Sequence, residues 1–477
     1  MPPPAQPDAV LKGLAVNPAL PAELLPRLLA NPAAREAAAR HRGGLTAELA
    51  ESVIEGGGFG PLELACNDDL PAATVQRLAH HPDASARGAL ARRGYAAEVF
   101  DLLVADADPR VRESLAANSA LPPRLRARLA DDPAPAVRAT LGQWWTDAPE
   151  EIRRRLLTDP EPEVRAGACA RYFRKLPHPV PPADLHPALL ADEGTRAGVV
   201  PHLDLTPETA GRLVTDPDPE VREALASHPR LPSRLRDVLA GDPHAVVRAE
   251  VFARGDTPAA LREALYAGIS EGAARARPNV FDCAEDDMWC LMAVGHLDGL
   301  TYPWAVADPL AHLGSPCAGV RRSLAASAEL PPAAVERLLD DDDFLVRWTM
   351  ARRAPAPDPD VVERVERRHP ARSKVRGRPA DDFDFPGAYL RRFATDPDPR
   401  IRTLAPRDPG LPTPLADRLA ADPDPRVRRA VAAHPRLSRQ ARHALLGDDD
   451  ARVAEAAGAD PALSGAEIEH LLSHTGL

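Results

Sequence analysis

The residues of this chain that could hold a metal or carry redox chemistry gather in one stretch: Cys283, Cys290, His296, His312 and Cys317. A metal site needs its donors within reach of one ion. Cys283 and Cys290 are seven residues apart. On a helix they share a face but stand about 10 Å apart along the axis, too far to share an ion bonded at about 2.3 Å. No C-x-x-C occurs. The pattern predicts free thiols packed beside Trp289 and Met292, with no metal and no cofactor. No Ser-His-Asp set, phosphate-binding loop, H-E-x-x-H or EF-hand loop is written in the chain, so no catalytic residue is expected. The densest basic run is Glu363–Arg378, which holds Arg364, Arg367, Arg368, Arg372, Lys374, Arg376 and Arg378 ahead of the acidic-aromatic Asp381–Phe385. It reads either as a solvated loop or as a docking loop for an acidic partner, an anion or nucleic acid.

The elements that must position these residues repeat. The phrase Asp-Pro-x-Pro-x-Val-Arg occurs at Asp132–Arg138, Asp159–Arg165, Asp216–Arg222, Asp396–Arg402 (with Ile401) and Asp422–Arg428. Looser copies end at Arg87, Arg112, Arg248, Arg321 and Arg347. Neighbouring copies are 25 to 27 residues apart, and the wider gaps before Arg222 and Arg402 are close to two periods. A fixed period in this range marks a solenoid. Each period tends to carry a second phrase, Leu-Pro, as at Leu121-Pro122, Leu231-Pro232 and Leu411-Pro412.

Residues 216–242 show what one unit must be. Asp218 can cap a helix, with Pro219 at its first position, where a missing N–H costs nothing. Val221, Ala224 and Leu225 form a narrow apolar face. Pro229 stops this helix, and Pro232 opens a second one whose buried face is expected to be Leu235, Val238 and Leu239. Two helices of two to three turns are marginal alone, so stacking must stabilise them. The recurring Arg follows the buried Val. It can bond a carbonyl or the Asp of an adjacent unit, as a ladder along the stack. Second helices also carry arginines expected to be exposed: Arg124, Arg126, Arg128, Arg234, Arg236, Arg337, Arg418, Arg439 and Arg442. Trp144 and Trp145 are adjacent and cannot share a helical face, so one should be core and the other exposed or half-exposed.

The unit Asp-Pro…Val-Arg…Leu-Ala…Leu-Pro…Leu resembles the leucine-rich repeat variant, a HEAT-like family, over most of residues 15–477. The resemblance implies an all-α, right-handed α-solenoid of two-helix repeats of about 26 residues. It is nearly silent about function. Some members carry a cysteine-rich N-terminal iron–sulfur module; no Cys precedes Cys66 here, so that cofactor is not carried over. HEAT-like alkylpurine DNA glycosylases use aromatics on a concave face, which makes a DNA-repair enzyme the third reading of this chain.

Composition bounds the rest. Length over period gives roughly eighteen units of one array. The expected segments are a disordered tail at 1–14, repeats at 15–165, degenerate repeats at 166–214, repeats at 215–265, a divergent segment at 266–314, repeats at 315–353, an insertion at 354–394, and repeats with a cap at 395–477. The start has no signal-peptide pattern and no run is long enough to span a membrane. Five unevenly spaced cysteines suggest a reducing cytosol. Lys12, Lys175 and Lys374 are the only lysines, a bias of GC-rich bacterial coding. The net charge of −11 disfavours generic nucleic-acid binding. The function expected is therefore a cytoplasmic, monomeric, non-enzymatic scaffold for an acidic protein partner. The candidate contacts are Arg126, Arg234, Arg236, Arg367, Arg368, Arg372 and Arg376. A nucleic-acid or phosphate ligand in an Arg-lined groove is the second reading.

Overall fold

A carboxylate followed by proline starts helix after helix. The computed structural model describes residues 4–56, 58, 60–94, 97–169, 178–277, 284–327, 329–353, 357–369 and 378–477. In it Asp218 caps helix Pro219–Ala226 by accepting from the Glu220 N–H, with Pro219 in the first turn. Asp108, Asp398, Asp424 and Asp450 cap Pro109–Ala116, Pro399–Arg402, Pro425–Val431 and Ala451–Gly458 in the same way. Each cap satisfies a backbone donor that the helix itself leaves unpaired. Among the described residues every regular element is a helix and no strand occurs. No helix among them is long and apolar enough to cross a membrane.

The chain divides into two compact units, Met1–Trp144 with Asp384–Leu477, and Trp145–Phe383. Within each, the first helix of a repeat packs on the first helix of the next, as Ala84–Ala91 does on Pro109–Ala116 and that on Pro135–Trp144. The residue before the recurring Arg is the centre of that contact. Val111, Val137, Val164, Val221, Val247, Val320, Val346, Ile401 and Val427 are all 0% exposed. Ala224 and Leu225 are equally buried, as the sequence predicts. The degenerate stretch keeps the frame with altered words: Asp192 caps Glu193–Val199 through the Gly194 N–H.

The second helices depart from expectation. In Ser233–Leu239 the side chain of Leu239 is buried and Leu235 is half-buried, but Val238 is 53% exposed. Arg236 takes its place in the interior at 7% exposure. At about 100° per residue, 235, 239 and 236 span one face and 238 falls outside it. A two-turn helix presents only one such face, and here it is centred one residue further round than the Leu-Val-Leu spacing suggests.

One polar register links neighbours. Asn118 donates from Nδ2 to Ala91 O (2.7 Å) and Arg93 O (2.8 Å) of the preceding repeat, and its Oδ1 accepts the Ala120 N–H. Asn67 bonds Ala39 O and Arg42 O likewise. Histidine serves in two other repeats. His228 Nδ1 accepts the Arg230 N–H at 3.1 Å, which puts the ring proton on Nε2, facing Leu203 O at 3.2 Å. His434 repeats this with Arg436 N and Asp408 O.

The first repeat uses the same register on the last. Asn17 donates to Gly458 O (3.0 Å) and Asp460 O (2.8 Å), and its Oδ1 accepts the Ala19 N–H. Helix Pro7–Val16 packs on Ala451–Gly458 as well as on Pro32–His41. Glycine makes the approach possible: a Cβ on Gly458 would meet Val10 O and lie 3.2 Å from the Gly13 Cα, and one on Gly13 would strike Glu455 O. One expectation fails here. Residues 7–14 belong to a helix rather than a disordered tail, because Val10, Leu11 and Leu14 bury on this contact side.

Asn17→Ala should leave two buried carbonyls unpaired, costing about 1–3 kcal/mol. Amide exchange is expected to quicken in both Pro7–Val16 and Ala451–Gly458, while Pro219–Ala226 stays unchanged. Equal exchange at all three would mean that the contact is not held by Asn17.

Burial lowers the His228 pKa, against the raising effect of its bond to Leu203 O. A depressed folded pKa favours the neutral ring, so its contribution is complete above the unfolded value near about 6.5 and is lost as pH falls from there through the folded value. His228→Asn keeps both bonds, as Asn118 shows. The variant should lose part of the acid-side decline in stability between neutral and mildly acidic pH, measured by urea unfolding; an identical pH profile would refute the assignment.

Candidate binding surface

Arginine is the chain's only abundant cation, so its distribution decides what surface is available. The recurring Arg is structural. Arg222 Nη1 donates to Asp216 O of its own repeat at 2.7 Å, and Nε and Nη2 grip both oxygens of Asp242 in the next at 2.7 and 3.0 Å. Asp242 Oδ1 also accepts the His244 N–H. The same fork joins Arg87 to Asp106, Arg112 to Asp132, Arg321 to Asp341, Arg402 to Asp422 and Arg428 to Asp448. Burial would raise the Asp422 pKa, but the Arg402 fork outweighs it and holds the carboxyl below its usual range. The two bonding roles expected of this Arg, to a carbonyl and to an Asp of the adjacent unit, are thus both filled at once.

The candidate contact residues meet different fates. Arg236 is buried, donates to Asp256 O and pairs with Asp237. It is not on an exposed side as expected, because the helix turns it inward in place of Val238. Arg126 is half-buried and donates to Asn118 O and Ser119 O. Arg234 is exposed. Arg367 pairs with Glu363 one turn away at 2.6 Å, and Arg368 donates to Asp340 O at 2.9 Å. Arg372 and Arg376 lie outside the described residues. A different register faces solvent in repeat after repeat: the seventh residue after the Leu of Leu-Pro, which is Arg77, Arg128, Arg337 and Arg418. Val238 holds that register in its own repeat, which is why it is exposed.

The ladder breaks at two anchors, each just before an insertion. Arg347 is buried and bonds Arg368 O at 2.8 Å instead of an Asp. Arg248 has Cys290 Sγ at 3.7 Å. Cys290 stands on Glu285–Gly299, which packs on Ala259–Ala276 and on Ala245–Ala253. These long helices form the divergent segment. Trp304 fastens it, donating from Nε1 to Ala253 O at 2.9 Å with the Arg262 guanidinium 3.7 Å over its ring. Cys290 and Cys317 are buried free thiols with raised pKa values, caused first by burial. Cys283 lies outside the described residues. His312 stacks edge-on against Trp304 at 5.0 Å. Trp145 is buried and Trp144 is 41% exposed, the division expected of the pair.

Sequence reasoning grouped His296 with the cysteines. The fold gives it to carboxylates instead. His296 Nε2 lies 2.7 Å from Glu250 Oε1, and one donor atom from each of Glu223, Glu250 and His296 falls within 4.8 Å of the others. The signal was present in the repeat alignment. The position two after the anchor Arg is uncharged elsewhere, as at Ala224, Ser323, Thr349, Leu404 and Ala430, and Glu250 here.

No family model matches the chain, and no curated protein matches it.

Arg112→Met should strand Asp132 in the interior and destabilise its surroundings by about 3–5 kcal/mol, the range for breaking a buried pair. Adding Asp132→Asn removes the stranded charge while keeping an oxygen for the Ala134 N–H, and should recover much of the loss. Urea unfolding that shows the double variant no better than the single would overturn this account.

Proposed function

We propose that the chain is a right-handed α-solenoid of the leucine-rich-repeat-variant, HEAT-like type that works as a monomeric, non-enzymatic scaffold in the cytoplasm and binds an acidic protein surface. The observation that carries this reading is the division of the arginines. One register is consumed between repeats; another, Arg77, Arg128, Arg337 and Arg418, is exposed. In a superhelix, successive second helices line one wall, so within one compact unit a recurring register, as Arg77, Arg128 and Arg418, becomes a row. Such a row steers acidic partners with a strong dependence on salt. The net charge of −11 opposes wholesale attraction of nucleic acid.

The test uses polyglutamate as a defined acidic chain, with single-stranded DNA and heparin in parallel. Polyglutamate should bind at low ionic strength and weaken as salt rises. Arg77→Glu, Arg128→Glu and Arg418→Glu together should weaken it roughly tenfold or more, at about 0.5–1 kcal/mol per exposed charge, with no fall in thermal stability. Binding of DNA and heparin but not polyglutamate would replace this reading with the nucleic-acid or phosphate one. Polyglutamate binding that survives the triple reversal would remove the arginine row from it.

A further inference from the structure

We propose that Glu223, Glu250 and His296 bind one divalent transition-metal ion of the zinc class. This rests on a different part of the molecule from the arginine row and is independent of the scaffold reading.

The first support is placement. The register of Glu250 is one where first helices stack, and other repeats give it an uncharged side chain, as at Ala224, Ser323, Thr349 and Leu404. A carboxylate that is only 4% exposed there is costly unless its charge is met. Packing between stacked helices favours an uncharged residue, so the glutamate breaks the local rule of the array. Such departures concentrate at functional or strained sites.

The second support is convergence. The three donors come from three helices: Glu223 from Pro219–Ala226, Glu250 from Ala245–Ala253 and His296 from Glu285–Gly299. One atom from each falls within 4.8 Å of the others. Bonds of about 2.0–2.2 Å in tetrahedral geometry set donors about 3.4 Å apart. Rotamer adjustments of the order of 1 Å therefore close the set on an ion. The insertion supplies the imidazole, so the site exists only where the divergent segment folds back on the repeats.

The third support is charge. Two carboxylates facing one imidazole remain net negative even when the imidazole is protonated. A divalent cation balances the cluster. One nitrogen and two carboxylate oxygens, with no thiolate among them, suit a borderline ion such as Zn²⁺ rather than Cu(I). Three protein donors leave a position open to water, as in zinc sites that are not purely structural. The poor spacing of Cys283 and Cys290 says nothing against this, since neither is a donor here.

The experiment uses the full chain, stripped with chelator and dialysed. Zinc is then titrated against a chromophoric chelator, and cobalt is titrated with its visible absorption as the readout. The expected result is one equivalent, together with a rise in melting temperature when zinc is added. Glu223→Gln and His296→Gln should each weaken binding by at least the roughly tenfold that even an outer-shell change costs, and should lose the thermal shift. His80→Gln, an exposed histidine elsewhere, should change neither. Glu223 and His296 are both part-exposed, so these variants keep the test readable even where Glu250→Gln fails to fold. Absence of binding at micromolar zinc would overturn the proposal. So would binding that Glu223→Gln and His296→Gln leave unchanged.

Discussion

The interaction on which the rest depends is the fork between an anchor arginine and the aspartate that opens the next repeat. It does three things with two side chains. The guanidinium ties its own repeat's corner through a carbonyl, as Arg222 does at Asp216 O, and grips the next corner through Asp242. The aspartate in turn fixes its own turn by accepting a backbone N–H two residues on. Because the guanidinium is planar and its donors point in fixed directions, the fork sets an orientation as well as a distance. Lysine could supply the charge but not that geometry. The buried valine beside each anchor gives apolar adhesion, which is non-directional. The fork decides how one repeat is turned on the next. It also explains why the anchor arginines are withdrawn from the surface.

Much of this was legible in the sequence, and for a physical reason. Caps and prolines act locally, so Asp218 and Pro219 announce their helix without knowledge of the neighbours. The valine register and the two partners of the anchor follow from periodicity. The inner face of Ser233–Leu239 was not legible, because a two-turn helix gives too few residues to fix a phase. Leu235, Val238 and Leu239 fit one spacing, and Leu235, Leu239 and the buried aliphatic stem of Arg236 fit another. Arginine can bury its stem and still place its head on a carbonyl, so residue type alone did not exclude Arg236 from the interior. His296 was assigned to the wrong company for the converse reason. Its partners lie 46 and 73 residues earlier in the chain, and no local spacing rule reaches across that distance.

The two breaks in the ladder show how an insertion is accommodated. After Arg248 and after Arg347 the aspartate is missing, and a substitute is found in each case: a thiol in one, a backbone carbonyl in the other. The substitutes are weaker and less directional than a carboxylate. The insertion after Arg248 is secured by other means, chiefly the Trp304 bond to Ala253 O and the contact of His296 with Glu250. The carboxylate of Glu250 therefore has a double meaning. It helps dock the insertion, and it places negative charge where other repeats carry an uncharged residue. A hydrogen bond to one imidazole would suffice for docking alone. The presence of Glu223 in the same cluster is the part that docking does not explain.

The contact between Pro7–Val16 and Ala451–Gly458 covers two apolar faces that stacking along the chain alone leaves open. An array of thin helical layers leaves an apolar face open at each terminus, and nearest-neighbour stacking cannot cover it. The usual solution is a terminal repeat with a polar outer face. Here the two open faces are complementary because both are built to the same repeat rule, and Asn17 addresses Gly458 and Asp460 in the way Asn118 addresses Ala91 and Arg93. Within this unit Pro7–Val16 and Ala451–Gly458 pack as the first helices of neighbouring repeats do, so the apolar face of each is covered. The glycines at 13 and 458 are the local cost of that fit: they surrender helix propensity so that two backbones can approach where a Cβ on either would collide.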